Sequence, residues 1–337
     1  MKQERPILGV TMGDASGAGP EIVIKALTQP QVRSLCRPIA VGDAATFRQA
    51  ARIVGSSVPI RNIGHMSDAS FDDGVIEVLD LHNIDLPRLV YGQVSAMCGQ
   101  AAYECVVKAV GLALAGETAA VVTSALHKEA LNLAGHHFAG HTELLAHLCG
   151  VQKVTMLLTA GSFRVSHVST HVSLREAIER VKRERILQVA RLTHEAVRRM
   201  GVAQPRLAIA GLNPHAGEGG LFGNEEELEI RPAVETACSE GMHVVGPIPP
   251  DTVFFRMHEG QYDAVVAMYH DQGHIPTKVL AFDQGVNVTL GLPIIRTSVD
   301  HGTVFGKAGK GTARPDSMIE ALTLAARMAE GASVRLP

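Results

Sequence analysis

The chain has no uninterrupted apolar run approaching the ~18 residues of a membrane-spanning helix. From Met1 to Met12 a charged start is followed by too short an apolar segment for a signal peptide. Both absences lead to the expectation of a soluble, cytoplasmic protein. It has no Cys-x-x-Cys pair either: Cys36, Cys98, Cys105, Cys149 and Cys238 are scattered and odd in number, which fits reduced thiols rather than a disulfide framework. There is no excess of charge. A net charge of -3 over 337 residues excludes the electrostatic footprint of a nucleic-acid or anionic-membrane binder. The basic run Arg180 to Arg185 is interleaved with Val181 and Glu184, and reads as a solvated helix face. No repeat, low-complexity tract or obvious linker stands out.

What is present is enough apolar material, 46% of residues, to close the core of one large or two ordinary domains. Short β-branched runs recur at Ile7 to Met12, Pro38 to Val41, Val75 to Leu81, Ala119 to Thr123, Thr155 to Leu158, Leu207 to Ala210, Val244 to Val245, Ala264 to Ala267 and Val288 to Leu290. Many are apolar without alternation, as strands covered on both faces are, so the class is α/β with helices packed on a largely parallel sheet. The clearest helices are Ser95 to Ala115, Leu174 to Met200 (long enough to be two) and Glu225 to Ser239, with Gly116, Gly201 and Gly241 as stops. Pro20 and Glu21 after Gly19 mark another helix start. Two α/β lobes are expected, residues 1–125 with 300–337 and residues 126–299.

Sixteen histidines is generous for this length, and three occupy comparable places. His171 ends the run Phe163 to His171, His215 follows Leu207 to Leu212 in Leu-Asn-Pro-His-Ala-Gly-Glu, and His270 follows Ala264 to Met268 in Tyr-His-Asp-Gln-Gly. Parallel strands deliver their carboxyl ends to one edge of a sheet, where three imidazoles can meet around a first-row divalent ion such as zinc, cobalt or manganese. The spacing fits no compact metal motif, and three separate loop histidines bonded to backbone carbonyls would explain it as well.

A second cluster, Gly-His-His-Phe-Ala-Gly-His-Thr-Glu at Gly135 to Glu143, puts His141 and Thr142 just before the amphipathic Leu144 to Leu148. Thr142 or its neighbour can cap a helix there, and a helix start attracts an anion. With His136, His137 and Lys128 nearby, a phosphate or carboxylate site is a reasonable reading beside simple capping. A third set, Lys278, Asn287 and Arg296, lies beside predicted strands at equal spacing. Lysine there is an anion anchor or an acid/base group, and arginine offers a planar fork for phosphate or carboxylate. Each would also pass as an ordinary surface charge.

Two glycine-rich turns remain. Thr11 to Glu21, Thr-Met-Gly-Asp-Ala-Ser-Gly-Ala-Gly-Pro-Glu, is strand, turn and helix without the Gly-x-Gly-x-x-Gly spacing, so an anion cradle and a structural turn fit equally. Asp300 to Thr303, Asp-His-Gly-Thr, followed by Gly309 to Asp316, is a second loop that could hold a dinucleotide outside any Rossmann motif.

Taken together these motifs resemble the 4-hydroxythreonine-4-phosphate dehydrogenase family, PdxA-like. The match runs in order through Thr-Met-Gly-Asp, His-Lys-Glu-Ala-Leu, Gly-His-Thr-Glu, Leu-Asn-Pro-His-Ala-Gly-Glu, Tyr-His-Asp-Gln-Gly, Asn-Val-Thr-Leu-Gly-Leu-Pro and Arg-Thr-Ser-Val-Asp-His-Gly-Thr. The resemblance implies a two-lobed α/β/α fold of the isocitrate and isopropylmalate dehydrogenase type, with the active site in the interlobe cleft near a homodimer interface. It implies His171, His215 and His270 as ligands of a divalent cation (zinc, cobalt, manganese or magnesium) shared between subunits. His141, Thr142, Lys278, Asn287 and Arg296 become the phosphorylated-substrate residues. The loop carrying Gly302, Thr303, Gly309 and Gly311 resembles that superfamily's cofactor loop, for NAD. Lys278 is then the expected proton donor, and Asp251 and Asp271 the groups that orient ligands or relay protons.

The first turn departs from the family in Ala15-Ser16, where Pro-Ala is common, and in Ala18, where isoleucine is. Thr-Ser-Ala-Leu-His-Lys-Glu-Ala-Leu with Ala-Gly-His-His-Phe is similar to the branch acting on 4-phospho-D-threonate or 4-phospho-D-erythronate. The expected reaction is oxidation at C3 and decarboxylation to dihydroxyacetone phosphate. Rival readings are the vitamin B6 dehydrogenase itself, a metal-dependent lyase or phosphohydrolase, and a non-catalytic sugar-phosphate binding protein.

Overall fold

The computed structural model describes residues 5–281 and 285–333, which leaves residues 1–4 and 334–337 of the expected first lobe outside the described residues. The chain divides into two compact units, one running to Gln152 and resuming over Leu292–Glu330, the other over Lys153–Gly291 and again from Gly331.

In the first unit, strands β1 (Ile7–Thr11), β2 (Arg37–Gly42), β3 (Ile60–Ile63), β4 (Ile76–Asp80) and β5 (Ala120–Thr123) are joined by β12 (Ile295–Val299) in the order β3-β4-β2-β1-β5-β12. Every neighbouring pair there is parallel, as the unalternated apolar runs require. Its helices are α1 (Gly19–Leu27), α2 (Pro30–Leu35), α3 (Ala44–Ile53), α4 (Ala96–Leu114), α5 (Lys128–Leu133), α6 (His141–Leu148) and the start of α12 (Asp316–Ser333). α1 begins at the expected glycine, with Pro20 in its first turn, Glu21 at its positive end and Lys25 near its negative end.

The boundary differs from the expected 125/126 because residues 126–152 pack on α4. Leu144 and Leu145 share a core cluster with Val106 and Val110, and a Cβ on Gly99 would lie 2.0 Å from the Ala130 carbonyl oxygen. Helix α5 therefore rests on bare backbone of α4. Gly99→Ala should lower stability by about 1–3 kcal/mol through overpacking, read as an earlier thermal transition; an unchanged transition would mean the two helices separate without strain.

In the second unit β6 (Thr155–Ala160), β7 (Phe163–His167), β8 (Arg206–Ala210), β9 (His243–Ile248), β10 (Ala264–Ala267) and β11 (Val286–Leu290) take the order β11-β6-β7-β10-β8-β9. β6 is antiparallel to both neighbours, while β7, β10, β8 and β9 run parallel. The expected long helix is two, α7 (Leu174–Glu179), capped by Ser173, and α8 (Arg183–Arg199). α9 (Arg231–Ser239) is preceded by a wide turn, Glu226–Ile230, in which the Arg231 amide reaches back to Glu226 O. Pro232 has no N–H to continue the regular ladder, which favours the wider turn. α10 (Pro250–His258) and α11 (His270–Ala281) complete the unit.

Candidate active site

The three histidines follow three adjacent parallel strands. β10 pairs with β7 on one side and β8 on the other, and His171, His270 and His215 come four, three and five residues past the respective strand ends. The stretch that looked like a loop after β10 is the opening of α11, so His270 sits on its first turn and Lys278 within it rather than beside a strand. Asn287 and Arg296 likewise lie inside β11 and β12.

His171 and His270 have ring centroids 6.0 Å apart. His270 Nδ1 is 2.6 Å from Asp271 Oδ1; the carboxylate accepts, so the proton sits on Nδ1 and Nε2 keeps its lone pair for an acceptor or ligand role. His215 is placed differently. It opens a run, His215 to Gly219, in which all five residues are left-handed, and its ring packs near Phe222 at 6.3 Å. His171 and His270 line one groove with Thr170, Ser173 and Tyr269, while His215 lines a second with Asp251, Phe254 and Gln272; Tyr269 and Asp271 border both. Among the described residues no group of three or more His, Cys, Asp or Glu converges within one chain as a metal cage. A single copy therefore pairs His171 with His270 and keeps His215 in the adjoining groove.

Two histidines to which the sequence reading gave no role complete this edge. His167, fully buried at the end of β7, meets His274 with Nε2 3.1 Å from His274 Nδ1. His274 Nδ1 is also 3.1 Å from His270 O, and its ring stacks on His270 at 3.6 Å and 12°. A carbonyl only accepts, so Nδ1 carries the proton and His167 Nε2 accepts from it. Burial, with the neighbouring imidazole, holds His167 well below the ordinary range and brings His274 down to about 4, so this pair is neutral at neutral pH. The four-residue spacing His270-His274 on one helix face was the available signal. Gly273 makes the approach possible, since a Cβ there would lie 2.4 Å from His167 Nε2.

In the first unit, Arg296 is only 2% exposed and donates from Nε and Nη2 to Thr123 Oγ1 at 3.1 and 2.7 Å. Burial pushes its guanidinium down to about 9. His141, at the first position of α6, is partly exposed as a residue, but its Nε2 is sealed and has no hydrogen-bond partner. Burial, then the charge of Arg296, keeps it well below the usual imidazole range. The N-cap of α6 is Gly140, with no side-chain cap, so Thr142 is inside the first turn and does not cap it. Lys128 stands beside Gly140. A buried guanidinium, a neutral imidazole with a sealed nitrogen and an uncapped helix start make a place for an anion with several oxygens.

His136 and His137 belong elsewhere: His136 stacks on Tyr103 and bonds Gln100, and His137 bonds Asn132.

The two glycine turns bind each other. Ser16 N and Gly17 N bond back to Asp14, and Ala18 N donates to Thr303 O. Gly309 N and Gly311 N donate to the two oxygens of Glu21 at 2.6 and 2.8 Å, and Lys25 Nζ donates to Gly311 O and Ala313 O. The amides of Gly309 and Gly311 are thus occupied by the chain's own carboxylate. His301 Nδ1 lies 2.8 Å from Gly302 O. Any contact of this loop with a cofactor would come from its shape and its other groups.

A family model described as "Pyridoxal phosphate biosynthetic protein PdxA" matches residues 34–325. The chain is 47% identical to a D-threonate 4-phosphate dehydrogenase of Cupriavidus necator, over 98% of this chain and 99% of that one. It is 44% identical to a 4-hydroxythreonine-4-phosphate dehydrogenase of Geobacter metallireducens, over 98% and 97%. Its structure is similar to the crystal structure of a 4-hydroxythreonine-4-phosphate dehydrogenase from Burkholderia phymatum, with a TM-score of 0.85, 47% identity, and 97% and 99% coverage. A β-decarboxylating dehydrogenase from Thermococcus kodakarensis, at 14% identity and a TM-score of 0.54, shares the fold alone. A family match of this extent, with the histidine-bearing strand ends and the buried Arg296 inside the matched residues, shows that the chain belongs to the PdxA family.

Proposed function

We propose that the chain is an NAD- and divalent-metal-dependent dehydrogenase that oxidises C3 of 4-phospho-D-threonate or its erythronate epimer and releases CO2, giving dihydroxyacetone phosphate. The observation that carries this reading is the buried Arg296 beside His141 at the uncapped start of α6, a site shaped for a phosphoester.

The donor chemistry fits the implied metal. His171 and His270 offer two close imidazoles and His215 a third at the same sheet edge, a set that favours zinc, cobalt or manganese over magnesium. One chain does not bring the three together, so His215 and His270 are assigned to the same ion from different copies in a homodimer. Exposed apolar residues next to the His215 groove, Phe255 on α10 and Ile275, Val279 and Leu280 on α11, support such a contact. When bound, the metal would supply positive charge at the alcohol oxygen and NAD a hydride acceptor.

The chain's own residues do the rest. Arg296, His141 and Thr142 hold the phosphate, and neutral His141 serves as a hydrogen-bond partner without adding a second buried charge. Asp271 orients His270, and Asp251, in the groove of His215, relays the alcohol proton outward. Oxidation at C3 leaves a ketone β to the C1 carboxylate; the C1–C2 bond then breaks with loss of CO2, and Lys278 returns a proton to C2. Asn287 binds the substrate's polar groups.

Full-length relatives carrying the 4-hydroxythreonine-4-phosphate dehydrogenase name favour a second reading, with an amine where the threonate has a hydroxyl. One assay decides. With Co²⁺ and NAD supplied, 4-phospho-D-threonate should produce the nicotinamide absorbance band fastest, erythronate and 4-phosphohydroxythreonine more slowly, and a chelator should stop it. Turnover without nicotinamide would establish a lyase or phosphohydrolase instead, and binding without any turnover a sugar-phosphate carrier.

A further inference from the structure

We propose that Glu226 is the positioning residue that holds the His215 loop in its left-handed path and thereby sets the His215 imidazole for metal binding. The metal part rests on the function proposed above; the loop part does not.

Glu226 is 1% exposed, at the start of the wide turn before α9. Its Oε1 accepts from the amides of Leu212 and Asn213, both at 2.8 Å, and its Oε2 from Asn213 Nδ2 at 2.9 Å. All the groups pointing at it are donors, which only an acceptor-only carboxylate satisfies at both oxygens. Two residues on begins the run of five left-handed residues, of which His215, Ala216 and Glu218 are not glycine and resist that conformation. Such a path persists only where its surroundings over-determine it.

The neighbouring glycines show how closely the carboxylate is enclosed. A Cβ on Gly217 would lie 2.8 Å from Glu226 Oε2, and one on Gly211 would lie 3.3 Å from Oε1. Gln272 adds a second tie: its Oε1 accepts from Met268 N and its Nε2 donates to Gly211 O, both at 2.7 Å, so the exits of β10 and β8 are linked one residue before the Glu226 contacts begin. The carboxylate is 11 residues beyond His215 in the chain and touches no predicted ligand, which is why no motif pointed to it.

Glu226→Gln keeps the shape but must set an NH2 against N–H donors in either orientation. Gly217→Ala keeps the carboxylate and presses on it from the other side. Both variants should speed amide hydrogen exchange across residues 212–219 while leaving β8 and β10 amides at their wild-type rates. Both should weaken Co²⁺ binding, measured by calorimetry on the unreacted enzyme, by roughly 10- to 100-fold, and excess Co²⁺ should restore turnover. Unchanged loop exchange would overturn the proposal, as would faster exchange throughout the second unit, which marks a purely structural role. Faster loop exchange with wild-type Co²⁺ affinity would overturn the link to His215. A wild-type protein that takes up no Co²⁺ would refute the dehydrogenase reading, and the loop exchange would still decide whether Glu226 holds the loop.

Discussion

Replacing Arg296 with methionine should lower kcat/KM for the phosphorylated substrate by about 10²- to 10³-fold, the equivalent of ~3–4 kcal/mol. The magnitude follows from where the guanidinium sits. Burial already pushes it down to about 9, and a phosphate bound there would add charge-assisted contacts to a planar guanidinium held out of water. Methionine retains most of the volume, so thermal stability should change far less than activity. Lysine should rescue only part of the loss, because a point charge lacks the planar fork. The decisive comparison is with unphosphorylated threonate, whose slow turnover should be nearly indifferent to the change. Equal losses on both substrates would make Arg296 a structural residue whose bonds to Thr123 matter more than any ligand.

His215→Ala and His270→Ala should each reduce turnover by at least ~10³-fold, since each removes one imidazole of a three-ligand set. Mixed and allowed to exchange subunits, the two inactive proteins should regain about a quarter of wild-type activity. Random exchange makes half of the dimers mixed, and each mixed dimer has one site with all its histidines and one lacking two. Within one chain His171 and His270 lie together while His215 lines the neighbouring groove, and recovery would show that different copies supply His215 and His270. Differently tagged subunits that exchange without any recovery would defeat the shared site.

Much of this was legible beforehand. The unalternated runs at Ala264 to Ala267 and Leu207 to Ala210 are adjacent parallel strands, and the histidines after them reach one sheet edge because parallel strands end together. The start of α1 was visible from Gly19, Pro20 and Glu21, and the division of Leu174 to Met200 from the length of that stretch. The opening of α11 was not. His270 to Lys278 contains Gly273 and Pro276, which local propensity assigns to a loop; packing of Gly273 against His167 is part of what holds the helix there. The first-unit boundary was missed for a similar reason, because the bare backbone contact at Gly99 leaves no mark in an apolar pattern.

The amino-acid sequence by itself determined which groups this protein has to work with: strand ends bearing imidazoles, a helix start with His141 and Thr142, and basic side chains at positions 278 and 296. Those are properties of composition and order along the chain. Tertiary structure alone decided their states and their company. It sealed Arg296 and a nitrogen of His141 away from water, paired His167 with His274, closed Gly309 and Gly311 onto Glu21, and laid the His215 loop over Glu226. Protonation, strain and hydrogen-bond partners depend on solvent exclusion and on groups remote in the chain, and neither is set until the backbone has folded.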